Sequence, residues 1–191
     1  LYSVSGSNIF AGPVTLTADS TIRVLSGLGL ALNGSVSGGF SLTKNGQGTL
    51  AFGGSSANTY GGTTYVDQGM LALVKSSGTA VPNDLVIGDG VNSATVQLNN
   101  AGQLGSASDV TVRTASLLDL HNFSSTVGSL TLSNGTAASG LGTLMLSGPV
   151  SSLGDLGNNI TGKLDLGGVA RAIDVANGSA ADDLVISATV T

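Results

Sequence analysis

The chain has 191 residues, of which 30 are glycine and only 9% are charged, and it contains no cysteine and no tryptophan. Its formal net charge of −5, with six lysines and arginines scattered singly, excludes the basic footprint that nucleic acid or an anionic membrane surface demands. The lack of cysteine excludes a disulfide framework and thiolate chemistry, while a 41% hydrophobic share is enough to build a core.

The chain opens at Leu1 inside alternating apolar and polar text, without the charged and apolar regions of a leader, and reads as an excised or processed piece of something longer. No apolar run approaches the roughly 18 residues of a membrane span. From there one short pattern recurs, apolar, any residue, apolar. It appears as Val14-Thr-Leu16, Ile22-Arg-Val24, Leu30-Ala-Leu32, Leu50-Ala-Phe52 and Leu71-Ala-Leu73. It continues as Val96-Gln-Leu98, Val110-Thr-Val112, Leu118-Asp-Leu120, Leu130-Thr-Leu132, Leu144-Met-Leu146, Leu164-Asp-Leu166 and Ile173-Asp-Val175. A period of two predicts strands with one face in and one face out. No window carries convincing helical spacing, because Ser, Thr, Asn and Gly interrupt each one.

Turn formers separate these strands: Asn33-Gly34, Asn45-Gly46, Asp89-Gly90, Asn134-Gly135 and Asn177-Gly178, residue types that tolerate positive φ. Five triplets place a glycine two residues before an expected inward leucine, namely Gly48-Thr-Leu50, Gly69-Met-Leu71, Gly128-Ser-Leu130, Gly142-Thr-Leu144 and Gly162-Lys-Leu164. That is an internal repeat. A longer echo pairs Asn83–Ile87 with Asp182–Ile186, so the pattern spans both halves. Evenly spaced short strands fit either an antiparallel sandwich or barrel, in which the turns close hairpins, or a parallel β-solenoid, in which they form corners. The low charge tilts the balance to the solenoid. There equivalent positions stack about 4.8 Å apart, where charge ladders repel and Asn, Ser and Thr ladders can hydrogen-bond.

Residues 38–75 carry a denser signal: Leu42, Lys44, Gly46, Gly48 and Leu50, then Asn58, Tyr60, Gly62 and Thr63 or Thr64, then Gly69 and Leu71. This segment resembles the autotransporter-associated β-strand repeat, whose pattern opens Leu-x-Lys-x-Gly-x-Gly-x-Leu, continues Asn-x-Tyr-x-Gly-x-Thr and closes Gly-x-Leu. Residues 84–191 resemble, more loosely, the degenerate coils around such repeats in very large bacterial surface proteins. The resemblance implies an all-β chain forming a right-handed parallel β-helix, carried outside a diderm bacterium as the passenger of a type V secretion system. No translocator barrel stands in these residues, so that route is an inference from the resemblance.

Few residues suggest chemistry. His121 is the sole histidine, which excludes a multi-histidine metal site, and no Gly-x-Ser-x-Gly supplies a nucleophile, so it reads as a polar residue at a strand end. The Gly-x-Gly pairs at Gly27, Gly46, Gly88 and Gly140 lack the third glycine of a dinucleotide fingerprint and read as corners. Asp89 with Gly90, and Asp182 with Asp183, are where Ca²⁺ would be sought, yet no calcium-loop spacing supports them and they read as solvated turn carboxylates. Any two of 11 acidic residues can meet across coils, as in β-helical polysaccharide lyases and glycosidases, but the sequence selects no pair. Tyr60, Tyr65, Phe40 and Phe52 are expected to stack in or over the core, and Lys44 to point outward into solvent. The triplets at Asn33, Asn122, Asn134, Asn159 and Asn177 match the glycosylation pattern, as chance alone allows in so Asn- and Ser-rich a chain.

The expectation is therefore one continuous solenoid over residues 1–191, of roughly nine coils at ~20 residues each, with no catalytic, cofactor-binding or metal residue. Its function would be mechanical: a scaffold or fibre at the cell surface or secreted, not an enzyme, supporting adhesion or a matrix. An adhesin binding host protein or glycan, and the scaffold of a polysaccharide-acting enzyme, are the alternatives. Neither end supplies an obvious polar cap, from Leu1 to Val4 or from Leu184 to Val190. The expected partners are flanking coils of a longer chain, or other copies stacked end to end or side by side, with no nucleic acid and no membrane insertion.

Overall fold

All twelve apolar-x-apolar triplets fall on strands, two of them with the last residue just past the strand end, and a turn residue stops each strand early. The computed structural model describes residues 1–191 and contains 22 strands and no helix. They wind into nine coils, each offering up to three faces in sequence. The first coil is β1 (Tyr2–Ser3), β2 (Ser7–Phe10) and β3 (Val14–Leu16); the second is β4 (Ser20–Val24), β5 (Gly29–Leu32) and β6 (Val36–Gly38). Three coils then have two strands each: β7 (Leu42–Asn45) with β8 (Thr49–Phe52), β9 (Thr64–Val66) with β10 (Gly69–Leu73), and β11 (Leu85–Ile87) with β12 (Ala94–Leu98). The sixth is β13 (Val110–Arg113), β14 (Leu117–Asp119) and β15 (Ser125–Val127), and the seventh β16 (Leu130–Ser133), β17 (Thr136–Ala138) and β18 (Leu144–Leu146). The last two are β19 (Val150–Leu153) with β20 (Asn158–Asp165), and β21 (Ile173–Val175) with β22 (Leu184–Val190).

Every pairing is parallel. This decides between hairpins and corners in favour of a β-solenoid. The first face is a nine-stranded ladder, β1-β4-β7-β9-β11-β13-β16-β19-β21. Its inner positions recur after 20 to 25 residues, through Ser20, Leu42, Thr64, Leu85, Val110, Leu130, Val150 and Ile173. Nine rungs about 4.8 Å apart separate the outer strands by about 38 Å. The second face stacks β2-β5-β8-β10-β12-β14-β17-β20-β22. Its row Leu32, Phe52, Leu73 and Leu98, headed by the half-exposed Phe10, forms one wall of a continuous core of 34 buried residues.

The third face is broken. It holds β3-β6 at one end and β15-β18 with the second half of β20 at the other. Between them lies only the bridge Val81–Leu104. Strand β20 spans two faces by bending at Gly162, whose φ is +96°, so its first half pairs β17 and its second half β18.

The five repeated glycine triplets behave as expected: Leu50, Leu71, Leu130, Leu144 and Leu164 are all fully buried. Gly27, Gly46, Gly88 and Gly140 all have positive φ at corners. The two members of the long echo lie on different faces. Leu85–Ile87 is on the first face, whereas Leu184–Ile186 pairs with Asn158–Ile160 on the second, because any short strand of this type suits either wall.

Candidate functional site

Outward side chains form columns along the rod. On the first face one runs Thr21, Thr43, Tyr65, Val86, Thr111, Thr131 and Ser151. On the second, Ile9, Ala31, Ala51 and Ala72 make a small, uncharged strip. The concavities are open and shallow. The one with the most hydroxyls lies between Ser124, Thr126, Thr143 and Asp165 on the third face.

The residues singled out in the sequence do not converge. His121 sits in a tight turn after β14, where it and Asn122 have φ of +47° and +72° and Phe123 N–H donates to Leu120 O at 2.7 Å. Its own amide donates to Asp119 Oδ1 at 2.8 Å. Asp89 folds its loop back on itself: Oδ1 accepts the amides of Val91 and Asn92 at 2.9 and 2.7 Å, and Oδ2 accepts Asn92 Nδ2 at 2.8 Å. Those donors hold its carboxyl down at about 2. Asp183 Oδ1 accepts Gly178 N–H at 3.0 Å. No group of three or more His, Asp or Glu side chains lies close enough to hold a metal ion.

Two expectations are corrected. Phe52 and Tyr60 are fully buried, but Phe40 and Tyr65 are 41% and 37% exposed, Tyr65 because it has the outward parity of its strand. Lys44 does not point into solvent. It is fully buried, stacked between Ile22 and Val66 on the inner side of the first face. Its parity with Leu42, two residues earlier, is the sequence signal that gives this away.

What the interior does assemble is a set of polar groups satisfied across coils. Lys44 Nζ donates to the carbonyls of Gly46 and Gln68, the latter at 2.8 Å, with Asn45 O at 3.4 Å. Asn58 Oδ1 accepts Val36 N–H from the coil before at 2.9 Å, and its Nδ2 donates to Ala80 O in the coil after at 2.7 Å. Tyr60 Oη lies 2.6 Å from Thr64 Oγ1 inside the core. Lys75 Nζ donates to Gly53 O at 2.9 Å and Gly34 O at 3.4 Å. Gln103 clasps the Lys75 backbone, Oε1 accepting its N–H at 3.0 Å and Nε2 donating to its carbonyl at 3.2 Å. Asn58, Lys75 and Gln103 line the turn from the second face into the third, where strands are missing. The sequence marks Asn58 only as a position of the repeat pattern and gives Lys75 and Gln103 no mark at all, because each looks like an ordinary surface polar residue until the coils are stacked.

Burial sets the titration of this interior. It lowers Lys44 from its ordinary 10.5 to about 8 against the opposing pull of Asp67, lowers Lys75 as well, and pushes Tyr60 well above the usual phenol range against the bond from Thr64. Between about pH 8 and 10.5 the unfolded chain holds a proton on Lys44 that the folded chain has lost, so stability rises with pH there. Above about pH 10 the unfolded chain ionises Tyr60 and the folded chain does not, so stability falls. Thermal unfolding followed by circular dichroism should show Tm climbing by a few degrees from about pH 8 to 10 and then dropping. Lys44→Met should flatten the climb and Tyr60→Phe the drop.

The class that the fold and its interior define is a β-solenoid repeat protein. No family model matches the chain, and neither a curated protein nor a solved structure matches it.

Proposed function

We propose that this chain is a structural rod of a bacterial surface or secreted protein, a stiff spacer and not an enzyme. The observation that carries the reading is the unbroken nine-rung ladder of the first face, backed by one continuous core, while the outer columns bear mostly Thr, Ser and Ala, with Ile9, Tyr65 and Val86 among them and few charges. In such stacks each coil is held by its neighbours, so rigidity extends along the axis. The resemblance of residues 38–75 to the autotransporter-associated repeat supports an extracellular place. Antibodies raised against residues 1–191 should label intact cells of the source bacterium, and the label should vanish on brief external proteolysis of the cell surface. Label that appears only after permeabilisation would overturn the extracellular reading.

A fibre is the second reading, favoured by the inner rows at the two ends. Phe10 and Leu1 in the first coil, and Ile173, Val175 and Val190 in the last, continue buried rows yet are 39% to 66% exposed. A further coil of the same cross-section, from flanking sequence or a second copy, would cover them. Negative-stain microscopy over a concentration series separates the two sources: uniform filaments favour copies, isolated short rods favour flanking coils.

A further inference from the structure

We propose that the Lys75 ammonium is a built-in cation of the solenoid, a charge that ties coils two and three to its own coil four through backbone carbonyls, in a pocket that recognises a primary ammonium. The backbone of the same residue also reaches coil five. Its Nζ meets Gly34 in the second and Gly53 in the third, and its own backbone is clasped by Gln103 and by Asn100 Nδ2, at 2.9 Å, from the fifth. The place matters, since the third face there has no strand pairing beyond the bridge Val81–Leu104. Lys75 exposes none of its surface. A buried charge survives only with strong partners; burial lowers this amine's proton affinity, and the oxygens that accept from Nζ are the Gly34 and Gly53 carbonyls, not a carboxylate. Carbonyl dipoles remain, and bonds from a charged donor to them are about twice as strong as neutral ones.

The corner is shaped for this group. A Cβ on Gly34 would collide with the Gly12 carbonyl and one on Gly53 would press on Asn33 Oδ1, so both carbonyl-bearing residues lie in close approach to the coil before them. Asn58 adds a neutral bridge between coils two and four, which leaves Lys75 as the cationic one. Lys44 repeats the arrangement on a smaller scale at the corner between the first and second faces, with carbonyls of two coils and Asp67 nearby.

The bland alternative is that Lys75 merely fills space with its four-carbon stem. Lys75→Met keeps most of the stem and removes the charge, and should lower Tm by about 5–10 °C with faster amide exchange at residues 33–35, 53–55 and 75–76. Lys75→Ala vacates the pocket, and n-propylammonium chloride should raise the Tm of that variant but not of the native chain, with sodium chloride at equal ionic strength and n-propanol inert. Lys75→Met melting within a degree of the native chain would overturn the proposal, as would a folded Lys75→Ala indifferent to propylammonium. Should Lys75→Ala fail to fold, NMR titration of the Lys75 side-chain carbon and nitrogen in the native chain decides: an ammonium at pH 6 supports the proposal, and a neutral amine sinks it.

Discussion

Phe52→Ala is expected to cost about 3–5 kcal/mol, the range for emptying a large aromatic site in a packed core. Phe52 is wholly buried in the middle of a row, with Leu32 stacked on one side and Leu73 on the other. Each is locked in register by ladder hydrogen bonds, so the rod cannot collapse sideways into the void as a loosely connected helix can. For a chain of this length the loss corresponds to a fall in Tm of roughly 10 °C or more. Phe10 heads the same row two coils away and is 47% exposed. Phe10→Ala should cost about 1 kcal/mol or less, since much of its surface is already in water. Thermal and denaturant unfolding of both variants, side by side, checks this. Equal costs would mean that the two ends of the row are packed alike and that the first coil is covered in solution.

The contrast between these two phenylalanines marks what a sequence of this kind can disclose. Alternation is a local property, and it placed Leu50, Leu71, Val96 and Leu118 on inner rows because a strand's parity needs only its own residues. Corners were legible in part: Gly46 and Gly90 take positive φ and at Asn134-Gly135 the asparagine does, at +62°, whereas neither residue of Asn33-Gly34 or Asn177-Gly178 does, and Ala115 and His121 adopt it unannounced. Register is not local. Which strand lies beside which depends on coil lengths that run from 19 to 26 residues, so the echo between residues 83–87 and 182–186 could show that the pattern spans both halves but not which face each copy joins. The interior polar groups were hidden for the same reason. Asn58 and Gln103 hydrogen-bond to residues 22 to 28 positions away, and nothing in their own neighbourhoods announces it. Lys44 was the avoidable miss: parity pointed inward, and the general habit of lysine to face water prevailed over it.

Gly54→Ala is expected to cost about 3 kcal/mol or more, for two reasons that add. Its φ of +77° is a conformation in which an L side chain is strained by about 1–2 kcal/mol. A Cβ built there would also run into the Asn33 carbonyl of the preceding coil, far inside contact distance and against backbone that cannot swing aside. Gly102→Ala isolates the first cause, because Gly102 has a similar φ of +66° and nothing within 4 Å of the new carbon. It should cost only about 1 kcal/mol. Denaturant unfolding of the pair gives the contact term as their difference, and a difference near zero would mean that coils two and three are farther apart than the structure places them. The collision should also be felt one coil further on. Gly54 O accepts Ser76 N–H at 2.9 Å, and its neighbour Gly53 O accepts Lys75 Nζ at the same distance. Pushing residue 54 away from Asn33 therefore shifts one of the carbonyls that hold the buried ammonium. Gly54→Ala combined with Lys75→Met should cost clearly less than the two separate losses together, because the first substitution already loosens the bond that the second removes. Strict additivity would show instead that the corner carbonyl and the amine act independently.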